Sequence, residues 1–469
     1  MTVLQDYADF ILEYAPYFYY TPGIGVDPVW GKGPAAAGHS IDFLVLCHAD
    51  SQFASMQSTI YDKIVELADF LVSIQCTNNT KKAYGGFQSK EGSDYYYSID
   101  AHRSIPALLK AYDLTGNVDY YNAAVLAGDY LYTMQHPPIP TVHDQYYGGF
   151  AQFVNIDDQW GANMWVVDLY GIMGLKEIYT RTGDAKYQTI LDEALAFYRQ
   201  GIIDLWLYYT PLPSGNGAWH RAPGTPPENL IFDDDFSYAL HSLYQYEGWS
   251  ETVEKVFRHC SEIEPTIDHP AYQPAVGWPG YLDVINRKPD CDYYDAVTSG
   301  ILALVLRKNH DGIMYEYAKK IIERHPDSFM YWGPQFSDYS PVEDKKATVT
   351  VSWLGMYLVE YSPISNKFTQ ILNAHGETVT FYSVISGETE SFAEGIEIKA
   401  IVRPTESKEI FLEAGYTVDD YKTFYVFSPV RHHDKLVHKS IPYTAIGVQD
   451  FNFQKDTLYL KVLCRRLLE

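Results

Sequence analysis

The tetrapeptide Tyr-Gly-Gly-Phe occurs twice, at residues 84–87 and again 63 residues later at 147–150. Each copy opens the same run of sequence. An acid-bearing polar loop leads into a long apolar helical pattern, which ends in a turn, "LTGNVDYY" in the first case and "RTGDAKYQ" in the second. A unit of this length is one supersecondary element that cannot bury both its faces alone, so it has to stack on copies of itself. Apolar residues recur at helical spacing, as in Ile60, Ile64, Leu67, Leu71 and Ile74, and again around Tyr315, Ala318, Ile321 and Ile322.

Followed along the chain, this rhythm predicts twelve helices in six pairs. First members fall near 2–15, 57–75, 118–134, 185–202, 250–263 and 311–324, and second members near 39–49, 99–114, 159–181, 235–247, 293–307 and 347–361. Turns from a second member to the next first member are short ("TGN", "TGD", "EGWS", "KNHDG"), whereas the links inside a pair are long and rich in Gly, Pro and aromatic residues. Alternating short and long links between helical hairpins imply an inner and an outer ring, so residues 1–361 are expected to form a mainly α (α/α)6 toroid.

The pattern changes at Pro363, which stops a helix. Residues 362–370 read as a linker. Beyond them period-two segments dominate: "ETVTFYSVI" (377–385), "GIEIKAIVR" (395–403), "KTFYVFS" (422–428), "YTAIGVQDF" (443–451) and "TLYLKVLCR" (457–465). These predict five or more antiparallel strands, a small β-barrel or sandwich over 371–469. Residues 364–469 hold 12 basic and 14 acidic side chains, net −2, which leaves −23 of the chain's −25 on the helical part.

That acidity repels phosphate backbones and argues against a nucleic-acid partner. The five cysteines are scattered, with no CxxC pair, so neither a disulfide framework nor a structural zinc is expected. The first ten residues carry two aspartates and no basic segment, against a signal peptide, and no apolar run reaches a membrane span. No GxSxG, P-loop, HExxH or dinucleotide fingerprint occurs, and no cofactor is implied.

The long links precede the second helices, so the N-termini of those helices share one rim. Acids sit near most of these starts: Asp42, Asp100, Asp157 and Asp158, Asp233 to Asp235, Asp292, Asp295 and Asp344. Each can serve simply as a helix cap, worth about 0.5–2 kcal/mol. Gathered round a funnel, they can also push one another's pKa values apart, as hydrolysis of a glycosidic bond by two carboxyl groups requires. Asp100, Asp158 and Asp235 are the catalytic candidates, Asp100 and Asp158 because they follow the two YGGF links at corresponding places. The consecutive acids 233–235 lack the alternating spacing of a Ca²⁺ loop, so no metal is assigned. His102, Trp160, Trp219, His220, Trp278 and Trp332 lie in or beside the same loops, with Trp30. They are candidates either for stacking on sugars or for plugging the funnel.

The hairpin grammar, with YGGF before an Asp-bearing helix start and turns such as Ile178 to Tyr187, resembles the (α/α)6 toroids of several glycoside hydrolase and polysaccharide lyase families; epimerases share it. The tail resembles a different group, the small head–tail joining (stopper or adaptor) proteins of tailed viruses. Here "GETVTFYSVISGETE" is similar to their opening strand and turn, and "IEIKAIVRPTESKEIFLEAG" (396–415) to their strand, Pro and polar turn. "SIPYTAIGVQDF" (440–451) and the closing "LYLKVLCRRL" (458–467) follow in the same order. This second resemblance implies a virion protein made in the host cytoplasm. Its β module would form a homo-oligomeric ring with neck or tail proteins, and its toroid would face a host-surface glycan. The alternative expectation is a free intracellular glycoside hydrolase or lyase with an accessory β domain.

Overall fold

The computed structural model describes residues 2–135, 148–161, 166–203, 208–209, 218–219, 231–232, 235–248, 250–273, 277–283, 287–309, 325–361, 377–382, 384–385, 391–392, 396–404, 420–426, 435–453 and 456–466. The chain divides into two compact units, Met1–Val359 and Glu360–Glu469.

The first unit is helical. Its first-member helices are α1 (Val3–Tyr14), α3 (Gln57–Ser73), α5 (Val118–Gln135), α7 (Ala185–Ile203) and α9 (Glu251–Ile263). The second members are α2 (Pro34–Ala49), α4 (Ser98–Thr115), α6 (Ile172–Thr182), α8 (Asp235–Glu247), α10 (Ala296–Asn309) and α11 (Thr348–Tyr361). The segment 311–324, where the sequence predicts one more first member, lies outside the described residues.

Burial separates the two sets. In α3 one stripe is covered, built on Ile60, Ile64, Leu67 and Leu71, as in a helix with a solvent face. In α2 every residue from Pro34 to Leu44 is buried, so that helix is enclosed on all sides. Close enclosure needs small residues: a Cβ on Gly38 would meet the Arg103 carbonyl oxygen of α4 at 2.9 Å. The second members contact one another in sequence. Helix α2 packs on α4, and α4 on α6 and on the 3-10 turn Val166–Gly171 before it. That turn packs on α8, and α8 on α10. A Cβ on Gly300 of α10 would lie 3.1 Å from Leu354 of α11. Ser352 of α11 then meets Ser40 of α2 at 3.2 Å, which brings the sequence of contacts back to its start.

The repeated tetrapeptide joins consecutive first members. The Gln75 amide, just past α3, donates to the carbonyls of Gly85 (2.9 Å) and of Ala123 in α5 (2.9 Å). Its counterpart Gln135, at the end of α5, donates to Gly148 (2.8 Å) and to Ile190 of α7 (2.8 Å). The short turns repeat a second tie. Tyr120 donates to Asp69 (2.7 Å), and Tyr187 donates to Asp129 (2.7 Å). Buried carbonyls are costly to leave unpaired, so these bonds set the spacing of the outer helices.

The long links end in short strands that run straight into the second-member helices: Tyr95–Tyr97 into α4, Tyr294–Asp295 into α10, Lys346–Ala347 into α11. They pair across neighbouring links. Tyr19–Thr21 lies between Gly25–Val26 and Lys346–Ala347, and Phe153–Asn155 between Tyr95–Tyr97 and Trp160–Gly161. Leu282–Asp283 lies between Ile231–Phe232 and Lys288–Pro289. The N–H of Glu91 donates to the Lys32 carbonyl (2.9 Å), and Tyr293 bridges Gln335. The N-terminal ends of the second-member helices are therefore surrounded by a collar of knitted loops.

Two helix boundaries differ from the sequence reading. Helix α2 begins at Pro34 rather than near 39, because Pro at the first position and three alanines start a helix without displaying any apolar period. The expected helix 159–181 is instead a β-hairpin, a 3-10 turn and the shorter α6.

The second unit is a curled antiparallel sheet of strands β1 (Glu377–Tyr382), β2 (Ile396–Pro404), β3 (Tyr421–Val426), β4 (Lys435–His438), β5 (Ile441–Phe453) and β6 (Asp456–Arg466). Spatial order is β1-β2-β3-β6-β5-β4, and β4 pairs back with β1 through Phe381↔Leu436. Alternate residues point inward. Val379, Ala400, Phe424, Leu436, Tyr443, Ala445, Val462 and Cys464 form the core. Strand β4 has no counterpart among the strands read from sequence, since its four residues, Lys435 to His438, carry too short a period to recognise.

Candidate functional site

Inside the collar, the first turns of the second-member helices carry buried acids. Asp100, third residue of α4, is 5% exposed. Burial pushes its carboxyl up to about 7, against the pull of Arg103. A carboxylic acid held near neutrality can both give and take a proton. Asp168, in the 3-10 turn before α6, is buried too, and its Oδ1 lies 4.0 Å from His102 Nε2. Burial and the nearby Arg103 push the His102 imidazole down to about 3, so it is neutral. The ring of Phe150, from the second YGGF, meets it edge-on at 4.8 Å. Both Asp100 and Asp168 act electrostatically on Tyr130, whose hydroxyl donates to the Tyr96 carbonyl at 2.6 Å.

Asp235 opens α8 and is buried. Asp295 caps α10 by accepting from the Thr298 N–H. Asp158 occupies a different position. It lies in the turn between the strands Phe153–Asn155 and Trp160–Gly161 with φ 61°, not at a helix start. Its carboxylate accepts from the Lys82 N–H (2.8 Å), and its carbonyl from Lys82 Nζ (2.9 Å). The acid that stands before α6, as Asp100 stands in α4, is therefore Asp168. The sequence does carry a signal for it: a lone acid inside "WVVDLYG" is costly to bury without a role.

The aromatic candidates are spread through the collar. Trp160 is half-buried beneath Lys82 Nζ, 5.5 Å from the ring. Trp332 is half-buried, 6.3 Å from Tyr19, which also meets Trp30 at 5.8 Å. Trp30 is 51% exposed, and its backbone N–H donates to Asp27, which Lys345 holds at 2.6 Å. Trp278 is fully buried against Phe236. Trp219 lies on the strand Ala218–Trp219, paired to Tyr208–Tyr209, and His220 falls outside the described residues.

No family model matches this sequence, and no curated protein matches it. Solved structures do. An alpha-amylase from Clostridium perfringens superposes with a TM-score of 0.51 at 12% identity, over 76% of this chain and 97% of that one. Cellobiose 2-epimerase from Spirochaeta thermophila gives 0.52 at 12%, over 76% and 93%. A family 76 glycoside hydrolase from a bovine Bacteroides thetaiotaomicron strain gives 0.51 at 12%, over 77% and 78%. At such identity the likeness is one of fold: the chain has the helical toroid fold of these proteins.

Proposed function

We propose that the N-terminal unit is a six-hairpin (α/α)6 toroid that binds a glycan at its collar and cleaves a glycosidic bond, with Asp100 as proton donor. The observation that carries this reading is the buried Asp100 carboxyl in the first turn of α4, raised to about 7 by burial. Asp168 and Asp235 are the candidates for the second carboxylate, which activates water or attacks the sugar. The solved structures of similar fold, named as an alpha-amylase, a family 76 glycoside hydrolase and a cellobiose 2-epimerase, support a carbohydrate substrate. Turnover of a glycan panel by wild type, lost by about 10²–10⁴-fold in Asp100→Asn, tests it. Binding without turnover by wild type on every glycan would leave a lectin-like toroid instead.

The C-terminal sheet is proposed to fasten the protein to the neck or tail of a tailed-virus particle as part of a homo-oligomeric ring, with the toroid turned toward a host-surface glycan. The support is the ordered resemblance of residues 371–466 to head–tail joining proteins. The competing reading is a free intracellular hydrolase or lyase. Light scattering of the full chain, alone and with purified particles, separates them: a strict monomer that never joins particles favours the free enzyme.

A further inference from the structure

The link that leads into α4 carries three aromatic rings on one face of its small sheet. Strand Tyr95–Tyr97 pairs with Phe153–Asn155, which pairs in turn with Trp160–Gly161. Side chains at paired positions share a face, and neighbours along a strand alternate. Tyr96, Val154 and Trp160 therefore lie on one face, where Tyr96 and Val154 are buried. The other face holds Tyr95, Tyr97, Phe153 and Asn155, with Gly161 beside Phe153. An antiparallel sheet with one covered face ordinarily turns polar residues outward, so three aromatic rings there need another reason.

The rings form one surface. Tyr95 and Tyr97 lie 6.3 Å apart and 30° from parallel, and Phe153 meets them at 5.2 Å and 5.4 Å. Tyr95 remains 43% exposed, and Tyr97 and Phe153 are half-buried, so the surface is open to an incoming molecule. Gly161 makes room for it: a Cβ there would fall 2.4 Å from the Phe153 ring. The surface also adjoins the acid. Tyr97 immediately precedes α4, and Asp100 is the third residue of that helix. Burial, and after it the charge of Asp100, raises the Tyr97 phenol above its ordinary pKa, so its hydroxyl stays protonated.

Its occupant follows from the groups present. Flat rings suit the C–H faces of a pyranose, and tyrosine hydroxyls give and accept hydrogen bonds as sugar hydroxyls do. Cations of the adjoining links are engaged elsewhere. Lys81 Nζ donates to the Ile156 carbonyl (2.9 Å), Lys82 Nζ to that of Asp158 (2.9 Å) and Lys90 Nζ to that of Val29 (2.7 Å). With Asp100 beside Tyr97, this disfavours a carboxylated or sulfated sugar. We propose that Tyr95, Tyr97 and Phe153 form a stacking platform for an uncharged hexopyranose unit, the one next to the glycosidic bond whose oxygen Asp100 protonates. The proposal rests on the glycan-cleaving reading above and adds to it the residues that orient the chain and the class of sugar they accept.

The test is calorimetric binding to the full-length Asp100→Asn protein, so that bound glycan is not consumed. The probes are cellopentaose, maltopentaose and mannopentaose, with pentagalacturonate as the charged one. An uncharged pentasaccharide is expected to bind, and to bind about tenfold or more weakly once Tyr95→Ala or Tyr97→Ala is added. Tyr97→Phe keeps the ring and should lose less than Tyr97→Ala. Tyr95 is exposed enough for its alanine variant to fold, whatever Tyr97→Ala does. Tyr132→Ala, which removes a tyrosine of similar exposure from the outer helix α5, should leave binding unchanged. Unchanged binding in Tyr95→Ala, an equal loss in Tyr132→Ala, preference for pentagalacturonate, or no pentasaccharide binding overturns the platform. So does a concentration-dependent dimer that Tyr95→Ala disperses, which would give the face to a second copy of the chain. If the platform fails while Asp100→Asn still abolishes cleavage, the catalytic reading stands. If Asp100→Asn cleaves as wild type does while Tyr95→Ala weakens binding, the acid is overturned and the platform is not.

Discussion

His102 fills the space that a side chain on Gly171 would need: an ideal Cβ at position 171 would fall 1.4 Å from His102 Nδ1. The glycine therefore lets the imidazole turn toward Asp168 at the junction of the 3-10 turn and α6. Gly171→Ala is expected to displace the ring and to destabilise the fold by about 1–3 kcal/mol or more, the usual cost of overpacking a filled core. Urea denaturation measures the loss. The double variant Gly171→Ala with His102→Ala should recover part of it, because the collision is with that ring.

The two YGGF glycines predict a matched pair of defects. Gly85 and Gly148 have φ of 91° and 96°, and a Cβ would lie 2.2 Å from the Leu126 carbonyl oxygen and 2.3 Å from that of Glu193. Alanine at either position combines a left-handed backbone with a main-chain collision that no rotamer relieves. Gly116 has φ 73° but nothing within 4 Å, so Gly116→Ala meets only the backbone strain, about 1 kcal/mol. Gly85→Ala and Gly148→Ala should each cost clearly more than Gly116→Ala in chemical denaturation. Equal losses at all three would show that the loops do not hold the helices as described.

Two buried groups predict opposing pH effects. The Asp100 carboxyl rises from 3.8 to about 7 on folding, so the unfolded chain loses that proton first. Its contribution to stability is fully present below its unfolded pKa and is lost as pH climbs toward about 7. His102 falls from 6.5 to about 3, so its contribution is present above its unfolded pKa and is lost as pH falls toward about 3. Asp100→Asn removes the first effect alone. Relative to wild type, its melting temperature should gain steadily between about pH 4 and about pH 7 and then level off. A difference independent of pH would mean that Asp100 ionises freely.

Much of this architecture can be read from the sequence where the pattern is periodic. The repeated link and the TG turns mark the hairpins, and strands such as β2 and β6 alternate cleanly enough to place within a residue or two. What escapes is set by packing rather than by pattern. The start of α2 is built from Pro and alanines that show no period because every face of the helix is buried. The contacts of His39 with Tyr238 and Trp353 join residues from separate helices, which no local spacing expresses. Asp168 stands one loop later than the homology of the two YGGF repeats suggests, because a β-hairpin occupies the residues in between.

That displacement yields the last prediction. Asp158 follows the second YGGF much as Asp100 follows the first, but its carboxylate binds the Lys82 N–H in a surface turn, with Lys81 Nζ 4.0 Å away. Asp168 is the acid that faces His102 within the first turns. On a glycan that wild type cleaves, Asp168→Asn should lower kcat by about 10²-fold or more, as removal of a catalytic carboxylate does. Asp158→Asn should leave kcat within about twofold and cost no more than about 1 kcal/mol of stability, the range for an exposed polar contact. The measurement is steady-state kinetics of both variants beside Asp100→Asn. A collapse of kcat in Asp158→Asn, with Asp168→Asn unaffected, would move the chemistry out of the buried ring and into the surface hairpin. The neutral His102 beside Asp168 would then have only a packing role.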